Sequence, residues 1–188
     1  MYRLIQFIPN CFSISRVGLT IIFVMNVISQ FIYKQNKLLP CILVFLIICL
    51  TDLLDGKIAR KIHCTTKTGA RLDVLADLFF IVISHITLIK LKIIPVWFLV
   101  FILLKFIEFI ITSSYSMKHK DNKKNVFVFD KMGKLVAAMF FVVPGMAYSF
   151  QVLTPDIARN IIDFILYAIV TGGIFSSYYR VKNCLKLA

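Results

Sequence analysis

Four aspartates, Asp52, Asp55, Asp73 and Asp77, stand in a fixed frame, the first two at i, i+3 and the last two at i, i+4. The chain has nine acidic residues in all, so this stretch concentrates nearly half of its negative charge. In helical conformation each pair shares one face. A short connection between the two helices would make them antiparallel neighbours and bring both pairs to one depth. Carboxylates that close repel one another strongly in a low-dielectric setting. Divalent cations between them relieve the repulsion, and an all-oxygen donor set selects Mg²⁺, Mn²⁺ or Ca²⁺ over Zn²⁺. Two cations bridged by carboxylates are an established apparatus for displacement at phosphorus. Small residues adjoin the acids. Gly56 follows Asp52 by one turn, Ala59 follows Asp55 by one turn, and Gly69 precedes Asp73 by one turn. Arg60 supplies a fixed cation suited to a phosphate. A nucleotide diphosphate therefore fits this surface. Ordinary pairing with Lys57, Arg60, Lys61 and Arg71 would account for one or two acids, but not for four at this spacing.

The elements that must carry these residues are apolar. The runs at 42–50 and 78–83 lead into and out of the frame. Acids at the end of a membrane helix are expensive and mark functional sites. Of the 188 residues, 60% are apolar, above the roughly one-half of a soluble domain. Apolar runs at 17–35, 38–55, 74–91, 94–116, 134–150 and 157–178 approach the ~20 residues that span a bilayer. The pattern predicts an all-α integral membrane protein of six transmembrane helices, forming one domain over residues 1–188. Residues 1–9 predict a short interfacial helix ahead of a break at Pro9-Asn10, with Ser13 or Ser15 capping the first long helix. The net charge of +13 would suit nucleic acid, but the positive-inside rule explains it better. With both termini in the cytoplasm, 16 of the 22 Lys and Arg residues fall on that side and five outside. This N-in/C-in arrangement puts the aspartates at the cytoplasmic face, where basic residues also suit anionic lipids and substrates. The five cysteines are scattered without a CxxC and read as free apolar thiols. No cleavable signal peptide is evident.

The frame D-x2-D-G-x2-A-R-x8-G-x3-D-x3-D resembles the signature of the CDP-alcohol phosphatidyltransferase family at all its defined positions: Asp52, Asp55, Gly56, Ala59, Arg60, Gly69, Asp73 and Asp77. The segment Ile8-Pro9-Asn10-x-x-Ser13-x-x-Arg16 is similar to the opening of many bacterial members. The resemblance implies a membrane homodimer, in a bacterial cytoplasmic membrane, that moves a phosphatidyl group from CDP-diacylglycerol to a small polar alcohol and releases CMP. It implies two divalent cations, Mg²⁺ or Mn²⁺, held by Asp52, Asp55 and Asp73. Asp77 would be a ligand or near-ligand and the general base. The cytidine diphosphate site would be lined by Asp52, Gly56, Ala59, Arg60 and Gly69.

The acceptor is less legible. Compactness and the opening segment resemble phosphatidylglycerophosphate synthases and point to glycerol 3-phosphate. Those enzymes commonly read D-P-x-A-D-K, whereas this chain reads Asp73-Val74-Leu75-Ala76-Asp77-Leu78, closer to phosphatidylserine synthases. Serine and inositol phosphate are the alternatives. A phosphorylated acceptor needs a second cationic pocket, for which Lys105, Lys131, Lys134 and Arg180 are candidates. Lys105 lies inside an apolar helix one turn before Glu108, and pairing with it is the plainer account. Gly172-Gly173 would allow close helix packing. A divalent-cation transporter is the rival from another class. It would need acids near mid-bilayer, where only Glu108 and Asp163 are found, isolated from each other.

Overall fold

Apolar runs without interior turn signals become helices because a chain in lipid has to satisfy its backbone groups internally. The computed structural model describes residues 2–61, 67–119, 131–152 and 154–185, with side chains over 11–54, 69, 71–112, 133–151 and 154–182. Six α-helices follow one another: α1 (Tyr2–Phe31), α2 (Leu38–Lys61), α3 (Lys67–Lys90), α4 (Val96–His119), α5 (Lys131–Ser149) and α6 (Pro155–Leu185). A 3₁₀ turn, Phe150–Val152, lies between the last two, and no strand occurs among the described residues. Cys11–Phe31, Arg71–Lys90 and Pro155–Lys182 are long and apolar enough to cross a membrane, whereas Leu38–Leu54 and Gly133–Ser149 are shorter apolar helices.

Local chemistry sets the helix ends. Lys34 and Lys92 adopt left-handed φ of 52° and 58° in the turns after α1 and α3, ending each helix sharply. Pro95 precedes α4, and its carbonyl accepts from Phe98 N at 3.3 Å. Pro155 opens α6, where its missing N–H would have no intrahelical partner anyway. One expectation is corrected. No break occurs at Pro9-Asn10, and residues 2–9 are the first turns of a continuous α1. Pro9 removes only one i→i−4 bond, which the uninterrupted apolar helix tolerates. Ser13 and Ser15 therefore sit inside a helix and cap nothing. Ser15 donates to its own helix at Phe12 O, 2.8 Å away.

The chain forms two compact units, Met1–Lys92 and Ile93–Ala188. In the first, α1 packs closely on both α2 and α3, while among the described residues α2 and α3 make little close backbone contact with each other. Each helix contributes one ring to a shared cluster. Phe23 and Phe45 are 6.1 Å apart, Phe23 and Phe80 5.8 Å, and Phe45 and Phe80 6.3 Å. Phe23 and Phe80 are fully buried. The polar residues Ser13, Arg16, Thr20, Ser84, His85 and Thr87 are buried, whereas Leu39, Leu43, Leu50 and Ile14 are exposed. Polar inside and apolar outside is the distribution of a protein whose solvent is lipid.

In the second unit α6 packs on α4 and α5. Trp97 stacks on Tyr167 at 5.6 Å, and Phe140 meets Phe98 and Phe101 edge-on. The two adjacent glycines of α6 differ. A Cβ on Gly173 would come 2.6 Å from Phe101 Cζ, while one on Gly172 would meet nothing within 4 Å. Close packing therefore depends on Gly173 alone. Gly173→Leu is expected to lower the melting temperature in detergent micelles by several degrees, since overpacking costs roughly 1–3 kcal/mol. Gly172→Leu should leave it nearly unchanged, and equal effects from the two would refute this difference.

Candidate active site

α2 delivers Asp52 from its C-terminal half, and α3 delivers Asp73 and Asp77 one turn apart. One oxygen from each of the three carboxylates lies within 4.8 Å of the others. The convergence forecast from spacing is present for these three. Its cause is different from simple pairing of α2 with α3. The agent is Arg16, on α1, whose side chain is 0% exposed. Its Nη2 bonds Asp52 Oδ1 at 3.1 Å and its Nη1 bonds Asp73 Oδ1 at 3.1 Å. The same Nη1 also contacts Asp77 Oδ1. Ser13, one turn earlier on α1, points its hydroxyl at Asp73 Oδ1 at 3.5 Å.

A buried guanidinium stays protonated, so it has to be paired. Three carboxylates without it would repel in the same space. The aspartates keep 31–39% of their side-chain surface exposed while Arg16 has none. The carboxylates thus present an open side, and the arginine backs them from within the helix bundle. Three hard oxygen donors with an open side fit a divalent cation such as Mg²⁺, Mn²⁺ or Ca²⁺. Thr20 donates to Arg16 O at 2.7 Å, which satisfies the hydroxyl within α1.

The aromatic cluster sits in register with these acids. Phe23 follows Arg16 by seven residues, Phe45 precedes Asp52 by seven, and Phe80 follows Asp73 by seven. Seven residues are two helical turns, about 10 Å along the axis. Each polar contact therefore has an aromatic counterpart one layer deeper, and that layer fixes how the three helices are aligned.

Arg16 and Ser13 were not among the site residues expected from sequence. The signal was present, because both belong to the opening segment that resembles the family. Arg16 was counted there only as a cytoplasmic-side cation. The positions Asp55, Gly56, Ala59 and Arg60 lie in α2, and Lys131 opens α5. Their side chains fall outside the described residues. Gly69 lies in the first turn of α3, one turn before Asp73.

The other cationic candidates belong to the second unit. Lys105 Nζ donates to Glu108 Oε2 at 3.0 Å, Gly173 O at 3.1 Å and Ser177 Oγ at 2.8 Å. Ser177 Oγ also donates to Glu108 Oε2 at 2.6 Å. An ammonium has three N–H donors, and all three are engaged, one with Glu108 on α4 itself and two across to α6. Arg180 lies over the Phe109 ring at 4.7 Å, a cation–π contact. Lys134 is exposed on α5.

Comparison with known proteins agrees with the frame. A family model described as CDP-alcohol phosphatidyltransferase matches residues 6–173. The chain is 30% identical over 162 residues to a protein of Aquifex aeolicus (strain VF5) named CDP-diacylglycerol--glycerol-3-phosphate 3-phosphatidyltransferase, covering 84% of this chain and 86% of that one. A protein of the same name from Bacillus subtilis (strain 168) is 28% identical over 114 residues, 56% of this chain and 58% of the relative. A third, from Wigglesworthia glossinidia brevipalpis, is 34% identical over 83 residues, 44% of each chain.

The Lys105 geometry makes a prediction. Breaking a buried ion pair strands the remaining charge at roughly 3–5 kcal/mol, while replacing both partners with apolar groups is far milder. Lys105 and Glu108 are 11% and 22% exposed, respectively. Lys105→Met should therefore lower the melting temperature more than Lys105→Met with Glu108→Leu. A double variant less stable than the single would contradict the pairing.

Proposed function

This chain belongs to the CDP-alcohol phosphatidyltransferase family, and from that membership we propose that it transfers the phosphatidyl group of CDP-diacylglycerol to glycerol 3-phosphate, releasing CMP in phospholipid biosynthesis. The observation that carries the reading is the convergence of Asp52, Asp73 and Asp77 within 4.8 Å, in a frame that matches the family signature at every defined position. Glycerol 3-phosphate is favoured over serine and inositol phosphate because the relatives from Aquifex aeolicus and Bacillus subtilis carry it in their names.

In this proposal Asp52, Asp55 and Asp73 hold two divalent cations, Mg²⁺ or Mn²⁺, with Asp77 beside them. Bound cations neutralise the donor's diphosphate and stabilise departing CMP. Gly56, Ala59 and Gly69 leave room for the nucleotide, and Arg60 meets a phosphate. The Asp77 carboxylate accepts the proton of the acceptor hydroxyl as that oxygen bonds the phosphorus and the bond to CMP breaks. A phosphorylated acceptor calls for cations, for which Lys105, Lys131, Lys134 and Arg180 are the candidates; of these, Lys105 has its donors engaged within the second unit. Six membrane spans rest on the apolar runs of the sequence, the placement of both termini in the cytoplasm on its charge bias, and a bacterial cytoplasmic membrane on the family resemblance. That arrangement has the aspartates facing the cytoplasm, so the lipid tails stay in the bilayer. A homodimer follows from the family resemblance.

The test is CMP release from CDP-diacylglycerol by the purified protein against a panel of acceptors. Release should require glycerol 3-phosphate, stop on chelation of divalent cations and return with Mg²⁺ or Mn²⁺. Asp77→Asn should lose about 10²–10⁴-fold of the rate, the range for a general base. Normal turnover by that variant would remove Asp77 from the role, and release with serine but not with glycerol 3-phosphate would reassign the acceptor.

A further inference from the structure

The geometry points to Arg16 as an internal counter-cation that competes energetically with divalent cations for the carboxylates of Asp52, Asp73 and Asp77, and so sets how tightly the site holds metal. The inference rests on the reading of those aspartates as a metal site.

Arg16 is not a surface cation that happens to lie near acids. It is 0% exposed, it comes from a different helix, and it contacts an oxygen of every one of the three carboxylates. Ser13 adds a neutral donor to Asp73 from the same helix face. A cation bound by these carboxylates sits about 2.0–2.6 Å from their oxygens. The guanidinium nitrogens lie 3.1 Å from Asp52 Oδ1 and Asp73 Oδ1. Two positive centres therefore share one set of anionic groups at short range, and the guanidinium itself is sealed from water. Each weakens the hold of the other, and such coupling is reciprocal by thermodynamic necessity.

Two consequences follow. Without metal, Arg16 offsets the mutual repulsion of the three carboxylates and helps to hold α1, α2 and α3 together. With metal, its positive charge opposes binding, so the site holds its cations less tightly than three bare carboxylates would. Arg16 is a positioning residue in this scheme, because it acts through the aspartates.

The experiment measures Mn²⁺ affinity, by calorimetry or electron paramagnetic resonance, and melting temperature with and without Mn²⁺, on the full-length protein in detergent micelles. Arg16→Gln removes the charge and keeps a polar side chain. It should bind Mn²⁺ roughly tenfold more tightly than the parent, within the usual range of coupling between sites. Its metal-free melting temperature should fall, and the rise on adding Mn²⁺ should exceed that of the parent. Arg16→Lys keeps the charge but loses the planar fork. It should lose stability while its Mn²⁺ affinity stays close to the parent's. A merely structural arginine would not separate these two variants in this way. Parent binding with equal or weaker Mn²⁺ affinity in Arg16→Gln overturns the inference alone. So does an Arg16→Gln variant that cannot be recovered folded even in saturating Mn²⁺, since the metal then fails to stand in for the guanidinium. Failure of the parent to bind Mn²⁺, or binding unaffected by Asp73→Asn, overturns the metal reading and this inference with it.

Discussion

Arg16 carries a charge that it cannot shed, in a place with no water to solvate it. Burial of that kind is tolerable only when anions surround the group and their remaining lone pairs are used. This one requirement organises the first unit. α1 has to bring residue 16 to the level at which α2 ends its apolar run and α3 begins its own. Asp52, Asp73 and Asp77 meet around the guanidinium, and α1 packs on two helices that touch each other little among the described residues. The Phe23–Phe45–Phe80 cluster repeats the arrangement two turns away along each helix. Apolar packing and ion pairing thus impose the same register, and a slip of any helix would break both.

The second unit solves a similar problem differently. Lys105 and Glu108 lie within an apolar helix and are paired with each other, with Ser177 and with a carbonyl that Gly173 leaves accessible. The charges there are closed off inside the protein, and they tie α4 to α6. The first unit's carboxylates remain open on one side while their arginine is sealed. That contrast is one of exposure: 11% and 22% for Lys105 and Glu108 against 31–39% for the three aspartates. It also fits the division of labour proposed above, with the donor and the chemistry assigned to the aspartate frame and the acceptor to cations elsewhere.

Much of this was readable without coordinates. The helical class and the family membership follow from hydropathy and an aspartate pattern with fixed spacing. The sequence suggests a break at Pro9-Asn10 where α1 is continuous, because a single proline removes one hydrogen bond and a long apolar helix survives that loss. The role of Gly173, as distinct from Gly172, was not legible either. Both glycines have the same intrinsic freedom, and only the position of the Phe101 ring distinguishes them.

Arg16 shows where the boundary lies. Sequence by itself determined that Asp52 shares a helix face with Asp55 and Asp73 with Asp77, and that carboxylates so gathered need a compensating positive charge, because periodicity and Coulomb repulsion are local properties of the chain. It could not determine which cation answers them. Residue 16 is 36 positions from the nearest of these aspartates, and no spacing along the chain ties it to them. Only tertiary packing, by laying α1 between α2 and α3, turned it into the buried partner of all three, because burial and proximity are set by the folded arrangement of helices.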